Sequence, residues 1–323
     1  MKAIRFDNTG GPEVLELQDV DLPPPGAGQV RIRHSVIGVN FIDTYHRSGL
    51  YPIPLPSGLG LEAAGTVEAL GADVTSLKIG DRVGYCTGPI GAYAEANNVP
   101  ADRVVKLPDA VSDETAAAAL LKGMTAQYLL KRTFPVKRGD TILFHAAAGG
   151  VGLIACQWAK HLGVTVIGTV GSEDKIALAK ANGSAHVLNT READWVKRTR
   201  ELTAGKGVPV VYDSIGKDTW SGSLDCLSVR GFMVSFGNAS GAVPPFEPGI
   251  LSAKGSLYLT RPTLMHYTRT REELQETADD LFAVIASGAV KIAVNQRFKL
   301  SEARAAHEAL HSRKTTGATV LIP

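Results

Sequence analysis

Cysteine is scarce in this chain: three in 323 residues, Cys86, Cys156 and Cys226, with no C-x-x-C pair among them. That excludes a disulfide framework and a four-cysteine zinc lobe. Cys156 and Cys226 fall inside predicted helices and read as core residues. Cys86 follows the strand-like Asp81-Arg-Val-Gly-Tyr85 near a possible pocket, but no histidine base accompanies it and nothing marks it as a nucleophile. Long apolar runs are also lacking. No stretch reaches the roughly 18 residues that a membrane helix needs, and Met1-Lys-Ala-Ile-Arg-Phe-Asp-Asn8 has no apolar segment of signal-peptide length. A cytosolic protein without a membrane partner is expected. Nor is there an excess of charge of either sign, with 34 Lys and Arg against 32 Asp and Glu. Such a balance leaves no sequence-wide footprint for nucleic acid or an anionic surface. Lys131-Arg132 with Lys137-Arg138, and Lys197-Arg198 with Arg200, are interleaved with acidic and apolar residues and read as polar faces of helices and loops. What is present is an ordinary hydrophobic content of 44% on a chain long enough for two domains with proper cores.

The segment Thr141-Ile-Leu-Phe-His-Ala-Ala-Ala-Gly-Gly-Val-Gly152 reads as a buried strand, a glycine-rich turn and the start of a helix, the phosphate-binding opening of a dinucleotide fold. Gly149 lets the backbone approach a pyrophosphate, and Gly152 lets the helix pack closely on the strand. Ala148, Gly150 and Val151 complete the turn, and the free N–H groups of the helix start face the anion. Ala147 stands where the usual motif has its first glycine. Beyond the turn, strands and helices alternate: strands at 164–170, 186–189, 208–215 and 231–237, helices at 150–162, 173–182, 192–203 and 218–228. This alternation, with valine- and isoleucine-rich strands, predicts a doubly wound parallel sheet covered on both faces. Gly163, Gly183 and Gly231 fall where helices must stop. A Rossmann-like domain is expected over about 123–264.

An NAD-specific site places an acid about 20 residues past the glycine turn, on the ribose 2′-hydroxyl. Here that place holds Val170, followed by Gly171-Ser172, with Lys175 in the first turn of the next helix. A 2′-phosphate fits this helix start, with Ser172 donating and Lys175 neutralising charge, so NADPH is the expected cofactor. Ser172 as a plain N-cap with Lys175 solvated is the competing reading, and nearby Glu173 keeps NADH open.

Residues 1–122 differ in kind. Short alternating strands such as Gln29-Val-Arg-Ile-Arg-His34 and Gly65-Thr-Val-Glu-Ala69 are broken by Pro23-Pro-Pro25, Pro52, Pro54, Pro56 and many glycines, the pattern of a compact β-rich domain. From 265 to 323 a helix over 272–287, a strand over 295–299, a helix over 301–312 and a strand over 318–322 are predicted. Folding this tail back onto residues 1–122 makes the Rossmann domain an insertion and leaves a cleft for substrate.

Gly38-Val-Asn-Phe-Ile-Asp-Thr-Tyr-His-Arg-Ser-Gly-Leu-Tyr51, Gly58-Leu-Gly-Leu-Glu-Ala-Ala-Gly65, Gly80-Asp-Arg-Val83, the glycine turn and Met233-Val-Ser-Phe-Gly-Asn238 together resemble the medium-chain dehydrogenase/reductase superfamily, in particular its zinc-free NADPH:quinone oxidoreductase (zeta-crystallin-like) branch. The resemblance covers essentially the whole chain. It implies a GroES-like catalytic domain around a Rossmann domain, and a homodimer. Zinc members of the superfamily carry Cys at the position matching Asn40 and Gly-His-Glu where this chain has Gly60-Leu61-Glu62, so two of the three ligands that a catalytic zinc needs are missing here. No metal is expected. Alcohol oxidation relies on a Lewis acid to stabilise the alkoxide. A quinone is already electrophilic, and a positioned hydride donor with a hydrogen bond to its oxygen suffices.

The resemblance places Asn40, Asp43, Tyr45 and Tyr51 at the nicotinamide and substrate end of the cleft, with Thr125 near the cofactor. Asn40 is suited to hold the nicotinamide or the quinone oxygen, and Tyr45 to donate a proton or hydrogen bond. A hydrogen-bonded turn with tyrosines packed over it is the plainer reading of the same stretch. Phe236, Gly237, Asn238 and Ser240 are implied at the nicotinamide half, and Leu259, Thr260 and Arg261 along the same cleft. Related sequences carry Tyr where this chain has Thr190, which removes a ring or phenol contact near the 2′-phosphate, with Arg191 beside it as an electrostatic substitute. Arg313 and Lys314 are weaker candidates for the cofactor. The expected function is NADPH-dependent quinone reduction without metal or flavin. The alternatives are reduction of the double bond of an α,β-unsaturated ketone (enone), or an NADPH-liganded RNA-binding or structural protein; a nucleic-acid partner is not expected.

Overall fold

The computed structural model describes residues 1–312 and 315–323. The chain divides into two compact units, one of Met1–Met124, Thr268–Ala286 and Ile292–Pro323, the other of Thr125–Tyr267 and Ser287–Lys291.

In the first unit the strand Gln29–Val39 is central. It pairs antiparallel with Glu62–Leu70 (Ile37↔Ala63, Gly38↔Glu62), with Ala96–Pro100, and with the C-terminal strand Ala318–Ile322 (Thr319↔Val39, Val320↔Gly38). Arg82–Tyr85 and Val105–Lys106 extend the sheet on one side, and Val294–Lys299 on the other. Val30, Ile32 and His34 point inward while Arg31 and Arg33 do not, the period-2 pattern of a half-buried strand. The pairing register slips between His34 and Val36, and Val36–Val39 are then all buried. Ile32, Ile37, Leu59, Val67, Val83 and Tyr93 form the core together with Leu300, Ala306 and Leu310 from the tail.

The second unit carries six parallel strands in the order His186–Asn189, Thr165–Val170, Thr141–Phe144, Val208–Asp213, Leu227–Ser235, Tyr258–Thr260. This is a doubly wound sheet, and the strand order reverses between Thr141–Phe144 and Val208–Asp213, the place where such sheets bind ligands. Gly163 and Gly183 end helices in left-handed conformation, at φ 80° and 104°. Gly231 does not stop a helix. The helix Trp220–Cys226 is already over, and the next strand begins at Leu227. The ladder runs Val208↔Leu227 and then Val210↔Phe232, so residues around Gly231 form a bulge, with Arg230 left-handed beside it. Over 173–182 a single-turn 3-10 segment, Glu173–Lys175, precedes a short helix, Ile176–Ala181. Ser287–Lys291 belongs to the second unit rather than to the tail. The Gln157 side chain holds Lys291 there from both sides, accepting from its N–H (2.9 Å) and donating to its carbonyl (3.1 Å). Among the described residues no helix is long and apolar enough to cross a membrane.

Candidate active site

In the second unit the strand Thr141–Phe144 runs into a turn in which Ala146 is left-handed (φ 52°) and Gly149 N-caps the helix Gly150–His161. By helix geometry the N–H groups of Gly150, Val151 and Gly152 have no intrahelical acceptor and are available to an anion. A Cβ on Gly152 would lie 2.2 Å from the Ala146 oxygen and 2.7 Å from the Ala147 Cα, so the helix can sit this close only with glycine there. Gly149 is less constrained, its Cβ position lying 3.2 Å from the Ala146 oxygen. The missing first glycine has a structural counterpart. A Cβ on Gly168, in the adjacent strand, would stand 2.7 Å from the Ala147 methyl, so Ala147 takes up room that Gly168 leaves. Ala148 is buried.

The carboxyl ends of the next two strands bring together Gly171, Ser172, Lys175, Thr190 and Arg191. Among the described residues, none besides its chain neighbours comes within 4 Å of a Cβ on Gly171. Ser172 is the N-cap of the 3-10 turn but makes no side-chain cap bond. Lys175 is half-buried, and burial holds its ammonium below the usual lysine range, with the Arg191 cation pushing the same way and Asp174 opposing. Thr190 fastens one strand end to the other: its N–H and hydroxyl both donate to the Val170 carbonyl, at 2.9 and 3.3 Å. Arg191 is exposed beside it.

At the end of the fifth strand Phe236 donates its N–H to the Asp213 carbonyl and packs its ring on Phe144 (5.8 Å between centroids). The Ser240 hydroxyl is engaged inside its own loop, donating to the Ile215 carbonyl (2.9 Å) and accepting from the Asp218 N–H (3.0 Å). Arg261 donates to the Ser235 carbonyl at 2.7 Å, and Leu259 and Thr260 pair with Met233 and Val234. Asn238 is half-buried in the same loop, and Thr125 is buried near the end of the helix Asp113–Tyr128. Arg313 and Lys314 lie outside the described residues.

Sequence reasoning missed the cluster beneath these strand ends. Asp213 is wholly buried; one carboxylate oxygen accepts from the N–H groups of Ile215 and Gly216 (2.7 and 3.0 Å), the other from the hydroxyls of Thr219 and Ser223 (2.7 and 2.8 Å). His145 Nε2 lies 2.9 Å from Ser223 Oγ, and Nδ1 2.8 Å from Thr169 Oγ1. Burial pushes His145 down from the usual imidazole range, toward the neutral form, against the opposing charge of Asp213. Because Ser223 donates to Asp213, Nε2 must carry the proton and Nδ1 must accept from Thr169. The trio has the composition of a hydrolytic triad, but its serine proton points at the aspartate and no member is exposed. With Thr169 it ties three strand ends to the helix Trp220–Cys226.

In the first unit Asn40 N-caps the helix Phe41–Ser48. Asp43, three residues on, accepts the Asn40 N–H at 2.8 Å, one half of a capping box. The same Oδ2 accepts from the Tyr93 hydroxyl at 2.9 Å. Tyr93 in turn faces His307 Nε2 at 3.1 Å, and Arg47 Nη1 lies 3.0 Å from His307 Nδ1. Arginine only donates, so the direction is fixed: Arg47 to His307 to Tyr93 to Asp43. Burial, with Arg47 adding to it, pushes His307 down to about 3. Burial raises the Asp43 carboxyl to about 7, against the lowering effect of its Asn40 and Tyr93 hydrogen bonds. Asp43 thus turns its carboxylate into the unit. Tyr45 is buried and Tyr51 half-buried, their rings edge to face at 5.0 Å. The left-handed cap at Gly49 (φ 81°) turns the chain so that the Tyr51 N–H reaches the Tyr45 carbonyl.

Glu62, also fully buried, accepts from the Asn40 amide (2.7 Å) and the Lys122 ammonium (3.1 Å) through Oε2, and from the Leu121 N–H (2.7 Å) through Oε1. Lys122 was not foreseen. Its signal was a lone cation inside the apolar run Ala116-Ala-Ala-Ala-Leu-Leu-Lys-Gly-Met124. These residues do not suit a catalytic zinc. The positions of two ligands hold Asn40 and buried Leu61, and the remaining carboxylate already faces an ammonium that a dication would repel. Among the described residues no group of three or more His, Cys, Asp or Glu is placed to hold a metal. Cys86 is buried against the Met124 sulfur (3.6 Å), and burial pushes its thiol up, which removes it as a nucleophile.

Comparison with known proteins bears on both units. The family described as "Alcohol dehydrogenase GroES-like domain" matches residues 26–109, and that described as "Zinc-binding dehydrogenase" matches residues 150–284. A quinone oxidoreductase of Pseudomonas aeruginosa is 57% identical over 323 residues, spanning 100% of this chain and 99% of its own. A 2-haloacrylate reductase of Burkholderia is 47% identical over 322 residues, spanning 97% and 96%. The crystal structure of Escherichia coli quinone oxidoreductase complexed with NADPH is 53% identical and matches with a TM-score of 0.99 over 100% of both chains.

Proposed function

The chain belongs to the zinc-free quinone oxidoreductase branch of the medium-chain dehydrogenase/reductase superfamily, and from that membership we propose that it is an NADPH-dependent quinone reductase that works by metal-free hydride transfer. The observation that carries the reading is the pairing of an anion-ready helix start at Gly150–Gly152 with Lys175 and Arg191 at the adjoining strand ends, where an acid for a ribose 2′-hydroxyl is absent. Ala148, Gly149, Gly150 and Val151 would hold the pyrophosphate, and Gly171, Ser172, Lys175 and Thr190, with Arg191, the 2′-phosphate. Phe236, Asn238, Leu259 and Arg261 would line the nicotinamide half, with Thr125; Ser240 shapes that loop from within. When bound, NADPH supplies the hydride.

The chain's own residues bind and orient. Asn40 presents an amide whose direction Glu62 sets, and Asp43 holds the helix start that carries Asn40. Tyr45 and Tyr51 offer flat faces to a flat ring, and the Tyr45 phenol is the group suited to place a hydrogen bond or proton on the reduced oxygen. A phenolate product needs no Lewis acid, which fits a site whose metal positions hold an amide, a leucine and an ion pair. The resemblance of its sequence supports a homodimer, and the lack of long apolar runs supports a cytoplasmic location.

The test is steady-state NADPH oxidation by chelator-treated protein with 1,4-benzoquinone, beside a small enone, and repeated with NADH. Rapid turnover with the quinone and NADPH is expected. Turnover with the enone alone would replace quinone reduction by double-bond reduction, and tight NADPH binding with neither reaction would leave a binding protein.

A further inference from the structure

The buried ion pair between Lys122 and Glu62 ends on Asn40. Glu62 Oε2 lies 2.7 Å from Asn40 Nδ2 and 3.1 Å from Lys122 Nζ, and the side chains of the pair are 0% and 7% exposed. The room for this carboxylate is built in. Any Cβ at Gly38, which pairs with Glu62 across the sheet, would stand 2.2 Å from Oε2. We propose that Lys122 is a positioning residue: by anchoring the Glu62 oxygen that accepts from the Asn40 amide, it fixes which end of that amide faces the reacting groups. The proposal rests on the reading that Asn40 contacts cofactor or substrate.

An asparagine amide presents donors at one end and an acceptor at the other, and its two orientations are nearly equal in shape. An ionised carboxylate only accepts, so beside Glu62 the NH2 end must turn inward and the carbonyl end is left for other partners. Remove the ammonium, and the Glu62 carboxylate loses the partner that fixes Oε2 against the amide. The amide then gains freedom to turn, and the site loses its set polarity without losing an atom. The pair does for the amide what a fixed charge does at an active site: it removes reorganisation from the reaction. Two buried charges are a costly way to stabilise a fold, and an apolar pair of the same volume is often as stable. Orientation of Asn40 accounts for that cost.

The experiment is a cycle of variants assayed with NADPH and 1,4-benzoquinone for kcat and KM, with NADPH affinity and Tm measured in parallel: Asn40→Ala, Lys122→Met, the two combined, and Glu62→Gln/Lys122→Met with and without Asn40→Ala. Lys122→Met is expected to lower kcat roughly tenfold when Asn40 is present and by less than about twofold when it is not, because residues acting through one another are not additive. Should Lys122→Met fail to fold with Glu62 unpaired, Glu62→Gln/Lys122→Met, which carries neither charge, provides the same test. It should melt near the native temperature and still lose roughly tenfold in kcat, since a glutamine accepts and donates and no longer dictates the amide. The proposal is overturned if the loss is the same factor in both Asn40 backgrounds, or if the charge-free pair turns over at the native rate. If Asn40→Ala is itself silent, the reading of Asn40 falls and the positioning role falls with it. An impaired Asn40→Ala with an additive Lys122 effect sinks the positioning role alone.

Discussion

Replacing Lys175 by Ala should separate the two nicotinamide cofactors. Lys175 is half-buried just past the end of the second parallel strand, close enough to Arg191 for that cation to weaken its hold on a proton. A charge-assisted hydrogen bond to a phosphate is worth about 1.5–3 kcal/mol. Partial exposure and the share of the field that Arg191 retains reduce this to about 1–2 kcal/mol, or roughly a 5- to 30-fold rise in the NADPH dissociation constant. NADH has no phosphate at that position, and its affinity should change by less than about twofold. Titration of each cofactor by fluorescence, at low and high ionic strength, measures both numbers. The gap between native and variant protein for NADPH should narrow as salt shortens the reach of an exposed charge. Equal weakening of NADPH and NADH would refute the reasoning, because it would place Lys175 against a part that the two cofactors share.

Tyr45→Phe should lower turnover with quinone while leaving the NADPH dissociation constant nearly unchanged, as stopped-flow and equilibrium titration would show; an unaltered rate would confine the ring to packing against Tyr51. Gly152→Ala should destabilise the protein by about 1–3 kcal/mol in thermal melts and weaken NADPH binding, because the added carbon meets the Ala146 oxygen at 2.2 Å; a native melting temperature would mean that the helix start yields freely. The Asp43 carboxyl, raised by burial to about 7, binds its proton in the folded state at a pH where an unfolded aspartate has lost it. Folding stability should therefore decline as pH rises from about 4 to about 7, and Asp43→Asn should flatten that part of a melting-temperature profile; an unchanged slope would assign it to other groups.

The parallel sheet was legible because its strands are short valine and isoleucine runs between helices that end at Gly163 and Gly183, two positions needing a left-handed backbone. Where a glycine served another purpose the same rule failed. Gly231 belongs to a bulge in a strand that starts four residues earlier, and a bulge depends on the neighbouring strand. The end of the long C-terminal helix was also plain, but the attachment of Ser287–Lys291 to the second unit depends on Gln157, far away in the chain. The substitution of Ala147 for glycine was visible in the sequence, while its counterpart at Gly168 is a contact between strands. Local periodicity carries the elements, and long-range packing decides the exceptions.

The site divides along the same line. Asn40 and Asp43, three apart at a helix start, carry a capping pattern that a sequence shows directly. Tyr93 and His307, which complete the Asp43 chain, and Lys122, which completes that of Glu62, are separated from their partners by 50 or more residues. His145, Asp213 and Ser223 meet from three elements of the other unit. In both units the buried groups run in one donor direction through a neutral histidine, so each network has a single low-energy tautomer and little freedom to rearrange. The groups expected at the cofactor are short-range and recognisable as motifs. The groups that hold them still are dispersed along the chain and set by geometry alone, so they become visible only when the chain is folded.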